Sequence, residues 1–269
     1  MNSGTFLQLF HESGLLFASV VICISCLYYT LTRSKPEQIQ AKIFLLIFID
    51  ILLSSVVDMG NIYAKPMLDV SSAARLAQEI NQYIYFLLHS LIAPLFCFYI
   101  SIVTSACYRL NPRYRYLYEL PVYIMEILVL INPLTHWVYH FDDSNLLVRG
   151  WGESVIYIVS AVYFIASAVV SMFTWSEIVQ KKRKALIYFF LIVALGVLTQ
   201  LFVPKLHIEL FAEAIAMTGV MITIENESER KNPRTGLYTQ AALVSDIPAY
   251  LTSRRHFSFI CVKTINPQY

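Results

Sequence analysis

Apolar residues are grouped into seven long segments between residues 14 and 224, and short polar loops separate them. A hydrocarbon core about 30 Å thick is crossed by about 20 helical residues. Because lipid offers the backbone no hydrogen-bonding partner, each segment is predicted to be a helix. The pattern predicts an all-α integral membrane fold, a seven-helix transmembrane bundle with spans at 14–31, 42–63, 80–107, 117–140, 154–175, 185–204 and 206–224.

The composition agrees with a membrane protein. Of the 269 residues, 57% are hydrophobic and only 14% are charged, which is unlike a soluble domain. The 18 tyrosines and 17 phenylalanines are typical of chains that place aromatic rings at membrane interfaces. A net charge of +2 is too small to favour nucleic-acid binding, so the lipid bilayer is the predicted partner.

Lysine and arginine are distributed unevenly between the two sets of loops. Ten lie in or beside the loops that follow the first, third and fifth spans: Arg33, Lys35, Lys42, Arg109, Arg113, Arg115, Lys181, Lys182, Arg183 and Lys184. The opposite connections hold four: Lys65, Arg75, Arg149 and Lys205. The positive-inside rule predicts a multi-pass protein with the N-terminus outside and the C-terminus in the cytoplasm. We expect this protein in the cytoplasmic (inner) membrane. The first span lacks a basic n-region and is therefore predicted to be an uncleaved anchor.

Polar and ionisable residues recur inside the predicted spans, mostly in their outer halves. Such groups are costly in lipid, which makes each a candidate functional residue. Asn81, Tyr85 and His89 follow helical spacing along one face. The candidate ligand-binding residues are Asp58, Asn81, Tyr85, His89, Glu126, Asn132, Glu153, Tyr157, Glu209 and Glu213.

A cavity lined by these carboxylates and the histidine would suit a cationic or polar small ligand, or a proton. In particular, Asp58, His89, Glu126 and Glu213 are predicted to face one shared cavity. The alternative is that the polar groups hydrogen-bond each other between helices, at roughly 0.6 kcal/mol each. Pro133 removes a backbone hydrogen bond and is expected to kink the fourth span.

Several other functions find little support in the sequence. Cys23 and Cys26 form a C-x-x-C within a span, without the four ligands of a zinc site, and are interpreted as small apolar packing residues. The last span has no lysine for a retinal Schiff base, and no nucleophile–base or phosphate-loop motif is present. We expect neither a cofactor nor a metal.

After the last span the chain turns abruptly polar, and residues 225–231 are predicted to be a cytoplasmic linker helix. Thr235-Gly236-Leu237 follows, then apolar residues at helical spacing from Ala241 to Leu251, and then an apolar run of strand length, His256 to Val262. The order of a Thr-Gly-Leu motif, a helix and a strand resembles the opening of a GGDEF domain, the fold of diguanylate cyclases. Four positions depart from that family's signature: Asn232, Arg234, Thr239 and Gln240.

The membrane part is also similar to the seven-span input modules of bacterial GGDEF and EAL proteins. The similar segments are Phe48-Ile49-Asp50-Ile51, Tyr85-Phe86, Ile131-Asn132-Pro133, His140-Phe141-Asp142 and Arg149-Gly150. The resemblance implies a seven-transmembrane sensory domain at 1–224 and a degenerate, incomplete GGDEF-like portion at 232–269. One helix and one strand bury too little apolar surface to fold alone, so this portion is expected to be loosely ordered.

The resemblance implies a receptor that couples an extracytoplasmic or intramembrane signal to a cytoplasmic output, working as a homodimer. The family's metal-binding aspartate is missing, because Lys263 or Thr264 takes its place, and no Gly-Gly-Asp-Glu-Phe loop follows. Phosphoryl transfer needs carboxylates for its cations, so this chain is not expected to be a cyclase. A small-molecule transporter or channel with a chance GGDEF-like tail is the alternative function.

Overall fold

The computed structural model describes residues 3–33, 39–67, 72–104, 106, 115–142, 147–178, 180–203, 206–225, 237, 239–240, 243–244 and 247. These residues are mostly helical, and the only sheet among them has two strands. The helices are α1 Ser3–Arg33, α2 Ile39–Ala64, α3 Ser72–Val103, α4 Arg115–Leu130, α5 Asn132–Thr135, α6 Trp151–Phe173, α7 Gln180–Phe202 and α8 Glu209–Val220. The strands are β1 Tyr139–Phe141 and β2 Leu147–Arg149, and a π-helical turn, Met221–Glu225, follows α8.

Five of the described helices are long and apolar enough to cross a membrane, which agrees with a multi-pass membrane protein. They correspond to Glu12–Thr32, Ile39–Ala64, Ala73–Val103, Trp151–Phe173 and Gln180–Phe202. The other two predicted spans correspond to α4, with 16 residues, and α8, with 12. At 1.5 Å per residue, α4 is about 24 Å long, shorter than a hydrocarbon core of about 30 Å. A count of seven spans therefore stays a prediction.

The fourth predicted span, 117–140, is not one kinked helix, and the expectation of a kink at Pro133 is wrong. Helix α4 ends at Leu130, and Pro133 lies in the first turn of the four-residue α5. A proline is tolerated there because the first helical N–H groups have no intrahelical partner. The chain then leaves α5 through His136, whose φ of 55° is left-handed, and enters β1.

The hairpin of β1 and β2 marks one end of the bundle, which we call the hairpin end. Its strands pair antiparallel, with Tyr139 opposite Arg149. The ring of Tyr139 stacks on Phe86 of α3 with centroids 5.3 Å apart, which fixes the hairpin against the helices. Helices α2, α4 and α7 end at the hairpin end, and α3, α6 and α8 begin there. The opposite end, where α7 begins with Lys181 to Lys184, is called the basic end.

Two helices organise the packing. Helix α3 contacts α2, α4 and α6, whereas α8 contacts α1, α2 and α7. Helices α7 and α8 approach closely because Gly196 has no side chain, and a Cβ there would lie 2.3 Å from the Cβ of Ala212. The larger apolar core lies among α1, α2, α3, α7 and α8, and a smaller one lies among α3, α4, α6 and β1. Cys23 and Cys26 are buried in the larger core, in line with the packing interpretation.

Tyrosine hydroxyl groups support the two helices that contain prolines. Pro94 lies inside α3 and Pro121 inside α4. Tyr118 of α4 donates to the carbonyl of Pro94, and Tyr163 of α6 donates to the carbonyl of Tyr118. These bonds join α3, α4 and α6 side by side.

Little of the predicted tail belongs to the described residues. Gln240, Leu243, Val244 and Ile247 are helical, and the Leu243 amide donates to the carbonyl of Thr239 over 3.1 Å. These positions agree with the helix predicted from Ala241 to Leu251. Leu237 of the Thr-Gly-Leu motif is exposed, whereas Thr235, Gly236 and the predicted strand lie outside the described residues, as does most of the predicted linker at 225–231.

Candidate functional site

Asp58 and His207 form an ion pair at the hairpin end. Asp58 lies on the last turns of α2, and His207 lies in the turn between α7 and α8, with a left-handed φ of 46°. His207 Nδ1 is 2.8 Å from Asp58 Oδ2. Burial alone would lower the pKa of His207, but the hydrogen bond and the charge of Asp58 outweigh it, so the pKa lies above its usual value. The pair ties α2 to the start of α8.

His89 and Glu209 make a second acid–imidazole contact, between α3 and α8. His89 Nε2 lies 3.8 Å from Glu209 Oε1, and both side chains are largely buried. The ring of Tyr85, one turn earlier on α3, stacks on the imidazole with centroids 5.1 Å apart. The other imidazole nitrogen, Nδ1, is buried and has no hydrogen-bond partner among the described residues. The ring face and Nε2 of His89 are thus engaged by Tyr85 and Glu209, whereas its Nδ1 has no hydrogen-bond partner among the described residues.

Glu153 is paired by the hairpin. Arg149 ends β2 and Glu153 begins α6, and their side chains meet at 3.2 Å between Nη1 and Oε1. The Glu153 side chain is 6% exposed and that of Arg149 is 60% exposed, so the charge of the arginine reaches solvent while the carboxylate does not. Tyr157, one turn along α6, lies beside the Glu153 carboxylate and within electrostatic range of Glu209.

Gly150 allows the hairpin to approach α6 closely enough for this pairing. Its backbone N–H donates to the carbonyl of Val138 over 2.8 Å. A Cβ at Gly150 would lie 2.0 Å from the carbonyl oxygen of Trp137, so no other residue fits without moving the backbone. The sequence therefore positions Arg149 through a glycine that follows it directly.

Glu213 lies one turn deeper along α8 than Glu209. It is 5% exposed, and its Oε2 has no hydrogen-bond partner among the described residues. Glu209 and Asp50 both act on it electrostatically, and it lies within the same range of Tyr85. Glu213 thus connects the groups at the hairpin end with a carboxylate in the middle of α2.

The structure brings seven of the ten predicted site residues into one electrostatic network. We call this network the ligand site, after the role predicted for its residues; its members are Asp58, Tyr85, His89, Glu153, Tyr157, Glu209 and Glu213, together with His207 and Arg149. Asn81 lies next to the network, with its Nδ2 2.7 Å from the Cβ position of Gly60 on α2. A shared open cavity stays a prediction.

Glu126 and Asn132 stand apart from this network. Ser90 of α3 donates to Glu126 Oε1 over 2.6 Å, and the carboxylate acts electrostatically on Asp50. Asn132 Oδ1 accepts from the amides of Val138 and Tyr139, at 2.8 and 3.2 Å, and its Nδ2 donates to the Tyr139 carbonyl at 3.1 Å. The side chain of Asn132 closes the turn before the hairpin, and we assign it that structural role.

Sequence reasoning did not identify His207, at the start of the last predicted span, or Arg149, in the loop before the fifth span, as partners of the predicted carboxylates. It also missed two buried amides, Asn61 and Gln78. Both polar atoms of Asn61 and Oε1 of Gln78 are buried without a hydrogen-bond partner among the described residues. Asn61 falls three residues after Asp58 on α2, so the helical spacing of the two was a usable signal.

Acidic groups outnumber basic ones in the ligand site. Four carboxylates, those of Asp58, Glu153, Glu209 and Glu213, face one arginine and two histidines. The excess of buried acceptors favours a ligand that brings positive charge and hydrogen-bond donors. Among the described residues, no three His, Cys, Asp or Glu side chains are grouped as a metal site would require.

No protein-family model, curated protein or solved structure matches this chain, so its resemblance to GGDEF-associated input modules rests on the quoted motifs alone.

Proposed function

We propose that this chain is a membrane-embedded receptor module that binds a cationic or polar small molecule at the ligand site and transmits the change through α8. One observation carries the proposal. Helix α8 supplies Glu209 and Glu213 to the ligand site and runs through the Met221–Glu225 turn directly into the polar segment that precedes the Thr-Gly-Leu motif. A ligand that shifts α8 would thus shift the start of the cytoplasmic tail.

The packing of α8 supports this route. The helix contacts α1, α2 and α7, and its start is held by acid–imidazole contacts to α2 and α3. A ligand that brings positive charge would compete with His89 and His207 for their carboxylates. Its binding would therefore change how the start of α8 is held, which is the kind of two-state element that signalling requires.

A screen on the purified full chain tests the proposal. Thermal unfolding in detergent is recorded with monoamines, polyamines and amino acids, each at matched ionic strength. A hit should stabilise the wild type and fail to stabilise Asp58→Asn or Glu209→Gln. Glu79→Gln is the matched control, because Glu79 pairs with Arg75 on the exposed surface of α3, away from the ligand site. Hydrogen exchange of residues 221–247 should then change when the hit binds, and an unchanged exchange pattern would contradict signal transmission.

We further propose that the receptor acts as a homodimer in the inner membrane, with a GGDEF-type tail that is catalytically incompetent. Incubation of the pure chain with GTP and magnesium should give no cyclic di-GMP above a heat-killed control.

A transporter or channel is the second candidate function. It is favoured by the continuation of acidic groups from the ligand site to Asp50, in the middle of α2. Flux of the screening hit into proteoliposomes, without any change in the tail, would support transport instead of reception.

A further inference from the structure

We propose that Asp50, Ser54 and Glu213 form an inner site that holds one sodium ion in exchange with a proton. The inner site is deeper in the bundle than the other groups of the ligand site, with which it shares Glu213. It does not rest on the proposed receptor function, because Asp50 and Ser54 contribute nothing to the ion pairs at the hairpin end.

The two carboxylates lie on α2 and α8, which contact each other, and Asp50 lies within electrostatic range of Glu213. Both side chains are only 5% exposed. Asp50 Oδ2 and Glu213 Oε2 nevertheless have no hydrogen-bond partner among the described residues, so the two groups do not bond each other through these atoms. This leaves two carboxylate oxygens turned toward the interior with nothing in the described structure to satisfy them.

Ser54 provides an independent sign of a ligand. It lies one turn after Asp50 on the same face of α2, is 0% exposed, and its Oγ has no hydrogen-bond partner among the described residues. Serines in these helices usually donate to the carbonyl four residues earlier, as Ser55 does to Ile51 over 2.8 Å. The same bond is made by Ser25, Ser101, Ser167 and Ser171. The Ser54 hydroxyl is not engaged in this way and is available as an oxygen ligand.

The charge balance around the site requires a cation or protons. The charged groups that act on Asp50 and Glu213 are Glu126 and Glu209, which are acidic as well. The nearby titratable groups of α1 and α3, Cys23 and Tyr85, are neutral when protonated and supply no positive charge. The two imidazoles at the hairpin end are engaged by Asp58 and Glu209. Two unpaired buried carboxylates are unfavourable, so they must bind positive charge.

The ligand set fits an alkali cation better than other metals. Two carboxylates and a hydroxyl are hard oxygen ligands, and no histidine or cysteine completes a three-residue metal site among the described residues. Two protons on the two carboxyl groups give a neutral site. One sodium ion with one remaining proton gives the same net charge, so each sodium ion that binds releases one proton.

The test measures the sodium dependence of thermal stability in the purified full chain. Sodium chloride is titrated against potassium chloride and choline chloride at fixed ionic strength, at several pH values. We expect sodium alone to raise the unfolding temperature. At pH values low enough for a proton to compete with sodium, the apparent affinity for sodium should fall about tenfold for each pH unit. The response should disappear in Asp50→Asn and Glu213→Gln and persist in Glu79→Gln. Ser54→Ala should weaken sodium binding several-fold.

Two results would overturn the proposal: no sodium-specific response of the wild type at any pH, or a response that both carboxylate variants retain. A second measurement needs no variant. Sodium added to weakly buffered wild-type protein should release about one proton per ion bound, and choline should release none. A site that holds only protons would release none with either salt. Loss of the amine response in Asp58→Asn with an intact sodium response would show that the two sites are separate.

Discussion

Replacement of Gly196 by alanine tests the close packing of α7 on α8. The added Cβ would lie 2.3 Å from the Cβ of Ala212 and 3.9 Å from the Cα of Glu209. Carbon atoms in ordinary contact are about 3.7 Å apart, so the helices would have to separate by about 1.4 Å at this point. The substitution therefore acts where α8 carries its two carboxylates.

The expected cost follows from this displacement. Overpacking of a tight core costs about 1–3 kcal/mol, whereas alanine in place of an interior helical glycine gains up to about 1 kcal/mol. Gly14→Ala is the matched control, because Gly14 also lies inside a helix and a Cβ there meets nothing within 4 Å. We expect Gly196→Ala to be about 1–3 kcal/mol less stable than Gly14→Ala.

The assay is unfolding in mixed micelles by titration with sodium dodecyl sulfate, followed by tryptophan fluorescence. The double variant Gly196→Ala with Ala212→Gly removes the methyl group that the new Cβ meets, and it should recover most of the lost stability. A coupling energy of about 0.5–3 kcal/mol between the two positions is expected for residues in contact. If Gly196→Ala and Gly14→Ala were equally stable, α7 and α8 would not pack as described.

Three further predictions follow from the geometry. First, the raised pKa of His207 means that its pair with Asp58 contributes fully to stability below the unfolded-state pKa of about 6.5, and that the contribution is lost as the pH rises through the folded-state pKa; unfolding titrations across pH 6 to 9 should show this loss in the wild type and not in His207→Gln. Second, Asn132→Ala leaves the amides of Val138 and Tyr139 without their acceptor, at about 1–3 kcal/mol for each group left unsatisfied, and limited proteolysis should cut the hairpin faster; unchanged cleavage would contradict the structural role. Third, reporter fusions after Asp143 and after Lys182 should report opposite sides of the membrane, because α6 separates them; equal locations would refute the predicted topology.

Hydropathy predicted most of the helices, because the length of an apolar run is a local property of the sequence. Helices α1, α2, α3, α6 and α7 lie where long runs predicted them, and each meets the length and hydropathy of a membrane span. The end of the fourth segment was not predictable in this way. Residues 131–140 are apolar enough to extend a span, but the side-chain bonds of Asn132 to the backbone of Val138 and Tyr139 stabilise a turn and a strand instead.

The sequence predicted which residues belong to the candidate site, but not which residues they pair with. Helical spacing placed Tyr85 and His89 on one face, and the structure confirms that they stack. Two of the acidic pairs, Asp58 with His207 and Glu209 with His89, join residues far apart in sequence and therefore depend on tertiary contacts. Asn132 was predicted by the same criterion as the other candidates, a polar residue inside a predicted span. Its side chain nevertheless bonds the nearby backbone of Val138 and Tyr139. A polar residue near a helix end can serve the backbone as readily as a ligand.

Two tryptophans fix the depth of α6 in the bilayer. Trp151 begins the helix and Trp175 follows its end, and both rings are exposed. Their Cα atoms are separated by 24 residues along the chain, about 36 Å at the helical rise, against a hydrocarbon core of about 30 Å. Tryptophan prefers the headgroup level, and both rings reach it as long as the axis of α6 is tilted by no more than about 30° from the membrane normal. A strongly tilted α6 would draw one ring into the acyl chains, and a thicker bilayer would have to thin around the helix.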